Sequence, residues 1–201
     1  DHLFRVRSID TAGNVSSLPV SWAWTILGPP TITKGFEDAS IPAGGSNTVT
    51  LTLSNPNAVD LTGATFSDTL VGMTAVGGPV SGTCVGITPS SIVVGATALS
   101  FGGITIPPAG CTVIFDVTSS TAGTKSNVTS GVSTTEIPAA GPVSNTATFN
   151  VIAPPVITKS FTPSGVVPGG TSTLSFTITA PAANPANLTG ISFTDTFPAG
   201  M

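Results

Sequence analysis

Along most of the chain apolar residues recur at every second position, in short runs broken by Gly, Pro and Asn. A period of two is the mark of a strand with one buried face. The clearest run is "NTVTLTLS", where Val49, Leu51 and Leu53 share one side and Thr48, Thr50 and Thr52 the other. The same reading predicts strands near residues 30–36, 47–54, 62–70, 91–94, 97–101, 111–118, 125–133 and 143–152. That spacing, with turn residues between, suits an all-β, immunoglobulin-like Greek-key β-sandwich.

A longer periodicity overlies the short one. "PPTITKGF" begins at Pro29 and "PPVITKSF" at Pro154, an offset of 125 that Gly44-Gly45 and Gly169-Gly170 share. After a two-residue insertion "LTGATFSDTL" (Leu61 to Leu70) matches "LTGISFTDTF" (Leu188 to Phe197). A period of this length is a whole domain rather than a solenoid unit. The expectation is a tandem array: one complete domain over residues 29–153, then residues 154–201 as the first third of a second copy, cut at Met201. Pro-Pro at each junction favours a stiff, extended linker.

Residues 1–28 differ. "HLFRVRSID" and "VSWAWTIL" alternate as strands around the turn "TAGN", with Trp22 and Trp24 on one face. The run from Arg7 to Ser16 resembles the closing hairpin of bacterial immunoglobulin-like or fibronectin-like modules, which implies a truncated domain of that kind. Asp10 and Asn14 are open to two readings, an interdomain calcium site or an Asx turn in which Asp10 accepts from nearby backbone N–H groups.

Composition then removes whole classes of function. Only 7% of residues are charged, the net charge is −4 and the pI is about 4.5. Ser and Thr fill the polar positions, and Glu, Lys, Gln and Arg are too scarce to build helices. Without a cluster of Lys or Arg, nucleic acid is not an expected partner. No apolar run reaches the length of a membrane helix. Nothing resembles a Cys/His zinc spacing, the single histidine, His2, lies in the N-terminal piece without Ser and Asp partners in a strand-turn-helix context, and neither phosphate-binding nor dinucleotide-binding glycine motifs occur. No cofactor is expected. The sequons at Asn14, Asn127 and Asn187 carry little weight in a Thr-rich chain. Cys84 and Cys111 fit a disulfide formed in an oxidising compartment, the alternative being two buried free thiols.

The candidate chemistry comes from polar residues on the wrong face. The chain has three lysines, Lys34, Lys125 and Lys159, and two of them interrupt apolar stripes at equivalent places in the repeat. Ile32, Lys34 and Phe36 share a face, as do Phe66, Asp68 and Leu70. Carrying the alternation through "PVSNTATFNV" puts Asn145 with Val143, Ala147, Phe149 and Val151. The second copy repeats Lys159 and Asp195. A buried ammonium or carboxylate is costly without a partner, so these groups are expected to meet. Lysine, aspartate and asparagine in an apolar pocket allow a spontaneous isopeptide bond. Burial favours the neutral amine, and a protonated carboxyl polarises the carboxamide. Lys34 would be joined to Asn145, with Asp68 between. Two other readings stay open: a non-covalent buried cluster, or an edge lysine that extends its ammonium to water. Asn127 in "KSNVTS" competes with Asn145, but parity places it opposite Val128 and Val132.

"ITKGF", "AGGS", "FSDTL", "AGCTVIFDV" and "SNTATFNV", in that order over residues 29–153, resemble the repeat of bacterial and archaeal surface proteins known as domain of unknown function number eleven and its relatives. "DTFPAG" in the second copy is nearer that pattern than "DTLVGM" in the first. The resemblance implies a secreted, surface-attached, immunoglobulin-like repeat without assigned enzyme activity. The order of Lys34, Asp68 and Asn145 also resembles the cross-linking residues of Gram-positive pilin and adhesin domains. The expected function is therefore a non-enzymatic stalk or spacer of a bacterial adhesin-like protein. Its partners would be neighbouring domains of the same chain, with any host or matrix ligand at a distal domain. The alternative is a carbohydrate- or protein-binding module.

Overall fold

The computed structural model describes residues 2–198 and contains no helix among them. A hairpin comes first, β1 (His2–Val6) against β2 (Val20–Trp24), with every residue exposed. Asp10 turns its chain: Oδ1 accepts from the Ala12 and Asn14 N–H groups at 2.9 and 2.8 Å, and Oδ2 accepts from Asn14 Nδ2 at 2.8 Å. That is the Asx-turn geometry. These hydrogen bonds, that from the Asn14 side chain foremost, hold the Asp10 carboxyl below its ordinary pKa.

The strands that follow form a sandwich. β3 (Thr31–Phe36), β4 (Ser40–Pro42), β5 (Ser46–Ser54) and β6 (Leu61–Thr69) lead into three two-residue strands, β7 (Thr74–Ala75), β8 (Gly78–Pro79) and β9 (Ser81–Gly82). Then come β10 (Ser91–Ile92), β11 (Ala98–Ile106), β12 (Cys111–Thr118), β13 (Gly123–Asn127) and β14 (Ala147–Ile152). One sheet runs β3-β5-β12-β7, with β9 also on β12. Across from it β11 pairs β6, and β13 and β4 flank β14. The chain beyond β13 joins these two parts: Thr65 exchanges main-chain bonds with Ser133 at 2.9 and 3.1 Å, Ser130 N–H donates to Ser67 O, and Asp68 bridges Thr129.

Alternation explains the core. Val49, Leu51 and Leu53 of β5 are buried, as are Val113, Phe115 and Val117 of β12. Opposite them lie Phe66 of β6 and Phe101 of β11, whose rings stand 5.0 Å apart. Phe101 reaches Phe115 at 5.8 Å, and Phe36 of β3 reaches Phe149 of β14 at 4.6 Å, so aromatic pairs span the two layers. Burial of these side chains drives the layers together. The fold is the all-β, immunoglobulin-like sandwich that the pattern predicts. After it, β15 (Val156–Thr162) and β16 (Thr173–Thr179) form a further hairpin.

Several elements depart from the expected pattern: β4, β7, β8 and β9 match no expected strand, β10 is only Ser91–Ile92, and β13 runs Gly123–Asn127 in place of 125–133. Gly102-Gly103 does not end a strand at Phe101; β11 continues to Ile106 through a register shift, with Gly103 at φ 70°. A β-bulge there inserts residues without breaking the pairing. The last strand is shorter than the expected 143–152. It begins at Ala147, and the irregular chain before it breaks the alternation: Ser144 is buried, while Val143 and Asn145 are exposed.

Candidate functional site: a buried lysine between the two sheets

Lys34 sits in β3 opposite Leu51, where an inward position of an amphipathic strand demands a hydrophobe. Its side chain and that of Asp68 are both at 0% exposure, and they form an ion pair. The ammonium nitrogen also donates to Asn127 Oδ1 and lies 3.3 Å from Thr129 Oγ1. Asn127 Nδ2 in turn donates to the Thr69 carbonyl at 2.7 Å, which fixes the carboxamide plane and turns its oxygen toward Lys34. The Phe36 ring closes one side, 5.9 Å from Nζ. Lys34 thus crosses from one sheet to the other, where β6 supplies the acid and β13 the amide.

Burial is the larger influence on Lys34 and pushes its pKa below the usual 10.5; the Asp68 charge opposes it. Asp68 Oδ1 is buried with no hydrogen-bond partner. Burial thus favours the neutral amine form of Lys34.

The expected partner Asn145 lies elsewhere. Its Oδ1 accepts from the Lys34 main-chain N–H at 2.9 Å and its Nδ2 donates to the Lys34 carbonyl at 3.0 Å. It holds the backbone of Lys34 and not the ammonium. Strand parity does not carry across the irregular residues before β14, where Ser144 is buried and Asn145 exposed. Asn127, by contrast, lies on the inward face. Lys125, Asn127 and Thr129 all face inward, and the inward parity changes to Val132 and Thr134 only after Ser130 and Gly131. Gly131 is needed there, because a Cβ would stand 1.9 Å from the Gly141 carbonyl oxygen. The polar alternation in "KSNVT" was the available signal for Asn127 and Thr129.

Lys159 pairs with Asp195 at 2.7 Å, with side chains 37% and 24% exposed. The aromatic rings of Phe161, Phe176 and Phe197 surround Lys159 at 5.6 to 5.7 Å. Cys84 and Cys111 are joined in a disulfide. Among the described residues no group of three or more His, Cys, Asp or Glu could hold a metal, and no helix is long and apolar enough to cross a membrane.

The chain is a member of the family described as Domain of unknown function (DUF7933), whose model matches residues 30–151 and 155–201. The coarse expectation of a domain of unknown function holds, but the family matched is this one and not number eleven. No curated protein matches. Among solved structures, BslA, a bacterial hydrophobin, is similar at 14% identity, with 65% of this chain and 98% of that chain covered and a TM-score of 0.42. A non-cellulosomal cohesin from the archaeon Archaeoglobus fulgidus shares 13% identity over 61% of this chain and 91% of that one, at a TM-score of 0.40. The pilus backbone of Streptococcus pneumoniae shares 13% over 58% and 34%, at 0.39. At that identity and overlap none of them assigns a site or an activity to this chain.

Proposed function

We propose that the module of residues 29–153 is a non-enzymatic, tension-bearing spacer, one bead of a tandem array in a secreted or cell-surface, adhesin-like bacterial protein. The observation that carries this reading is a junction device found twice. Asn57 Oδ1 accepts from the Gly28 N–H at 2.8 Å while its Nδ2 donates to the Gly28 carbonyl at 2.9 Å. Asn184 does the same to Ala153, at 2.8 Å for both bonds. Gly28 and Ala153 each precede a Pro-Pro pair, and Asn57 and Asn184 each stand four residues before "LTG". A carboxamide that takes both main-chain groups of a linker residue fixes the direction of the incoming chain. Rigid junctions suit a spacer better than a module that works alone.

Two further features support the reading. The disulfide Cys84–Cys111 is typical of oxidising, extracellular compartments. Both tryptophans, the residues best suited to stacking on a sugar, lie in the hairpin of residues 2–24 and not on the sandwich. A Lys–Asn isopeptide bond through Lys34 would complete the reading by making the module resistant to extension. Pulling the whole chain from its two ends tests it. A spacer unfolds only at high force, whereas specific binding of the chain to a glycan or protein array, with easy extension, overturns the reading.

A further inference from the structure

We infer that Lys34 forms its covalent bond with Asn127, not Asn145, and that Asp68 is the catalytic residue of this self-directed reaction. The inference rests on the reading of the module as a locked spacer and names the partner in the lock.

Three observations converge. Nζ donates to Asn127 Oδ1, so the carboxamide carbon Cγ adjoins the amine. Asp68 Oδ2 contacts the same nitrogen and can take its proton. Asn127 Nδ2 is tethered to the Thr69 carbonyl, which holds the departing nitrogen away from the attacking one. Asn145 meets none of these conditions, because both polar atoms of its side chain are engaged by the Lys34 main chain.

The chemistry balances without an added reagent. The ammonium of Lys34 gives a proton to the Asp68 carboxylate, which leaves a neutral amine and a neutral acid. The Nζ lone pair attacks Asn127 Cγ, and the carbonyl electrons move to Oδ1, which Asp68 O–H stabilises. The neutral Asp68 acid passes its proton to Nδ2 and takes one from the attacking nitrogen in exchange, so it is again a neutral acid. The Cγ–Nδ2 bond then breaks, Oδ1 becomes a carbonyl again and ammonia leaves, protonated by the remaining proton. One amide replaces another and nothing is oxidised. Burial keeps water, the competing nucleophile, out of the site.

The choice of asparagine changes the mechanics. A bond from Lys34 to Asn127 staples β3 of one sheet to β13 of the other, 93 positions apart. Tension on the chain ends then bypasses residues 35–126. Residues 128–152, including β14, lie outside the closed loop and remain free to peel. A bond to Asn145 would have held most of that segment as well.

Glutamate-specific proteolysis of the denatured, reduced chain separates the candidates, because the sequence has glutamates only at Glu37 and Glu136. Complete cleavage gives fragments 1–37, 38–136 and 137–201, with Lys34 in the first, Asn127 in the second and Asn145 in the third. The proposal expects fragments 1–37 and 38–136 to remain joined, lighter than their sum by one ammonia. Asp68→Ala is expected to release them, while Asn145→Ala leaves them joined. Fragment 1–37 joined to 137–201 overturns the choice of Asn127 but leaves the locked spacer intact. Three free fragments from the wild-type chain overturn both the bond and the lock.

Discussion

Asn145 binds Lys34 through its main chain: the carboxamide takes the Lys34 N–H at 2.9 Å and its carbonyl at 3.0 Å. The side chain expected to meet the ammonium therefore positions the strand that carries it. Asn47 treats Asp38 in the same way, at 3.0 and 2.8 Å, as Asn57 treats Gly28 and Asn184 treats Ala153. In each pair one carboxamide replaces a neighbouring strand residue, satisfying a donor and an acceptor that would otherwise lack partners. A chain this poor in charged residues uses asparagine amides for the fixing that ion pairs do elsewhere.

Replacing Asn145 with alanine removes both bonds and leaves a part-buried N–H and C=O unpaired. The expected cost is about 1–3 kcal/mol, read as a lower urea midpoint at an unchanged slope. The mass of the variant is expected to show the same ammonia loss as the wild type.

Asn127→Ala keeps the Lys34 amine free and so exposes its titration. Burial lowers the folded-state pKa of Lys34 below the unfolded 10.5. Between those two values the unfolded chain binds more protons than the folded one, so stability rises with pH through that window. Urea titrations at increasing pH are expected to show this rise in Asn127→Ala. The wild type, its amine consumed in an amide, is expected to lack it.

Reduction of Cys84–Cys111 reopens a loop with a sequence separation of 27. Chain entropy predicts a loss of about 3.5 kcal/mol for a loop of that length. Urea unfolding of the Cys84→Ser, Cys111→Ser double variant against the oxidised chain measures it. The Lys34 bond closes a larger loop within which this one is nested, and it does not depend on the disulfide, so the fragment pattern after glutamate-specific cleavage is expected to be unaffected.

Asn57→Ala and Asn184→Ala act at the junctions. Each is expected to cost about 1 kcal/mol in the adjoining unit. The larger effect is expected in backbone amide relaxation, with residues 26–30 more mobile in the first variant and residues 152–156 in the second. Unchanged relaxation at both places contradicts the junction device.

Much of this was legible in the amino-acid pattern because the two-residue period survives wherever the chain pairs regularly. It placed Lys34 and Asp68 inward correctly, since β3 and the inner half of β6 run without interruption. It failed where regular pairing stops. Before Ala147 the backbone leaves the pleat, and at Gly131 the inward parity changes, so counting by twos sent Asn145 to the core and Asn127 away from it. Thr129 escaped notice because a buried threonine is ordinary beside apolar neighbours and gains meaning only from the nearby ammonium. The Asn57 and Asn184 clasps joined residues 29 and 31 positions apart, beyond the reach of any local periodicity.

The intact mass of the purified chain, denatured and with its disulfide reduced, tests the central claim most directly. A self-formed Lys34–Asn127 bond predicts a mass one ammonia below that of the sequence, restored to the sequence value in Lys34→Ala after allowance for the substitution. A wild-type mass equal to that of the sequence contradicts the account.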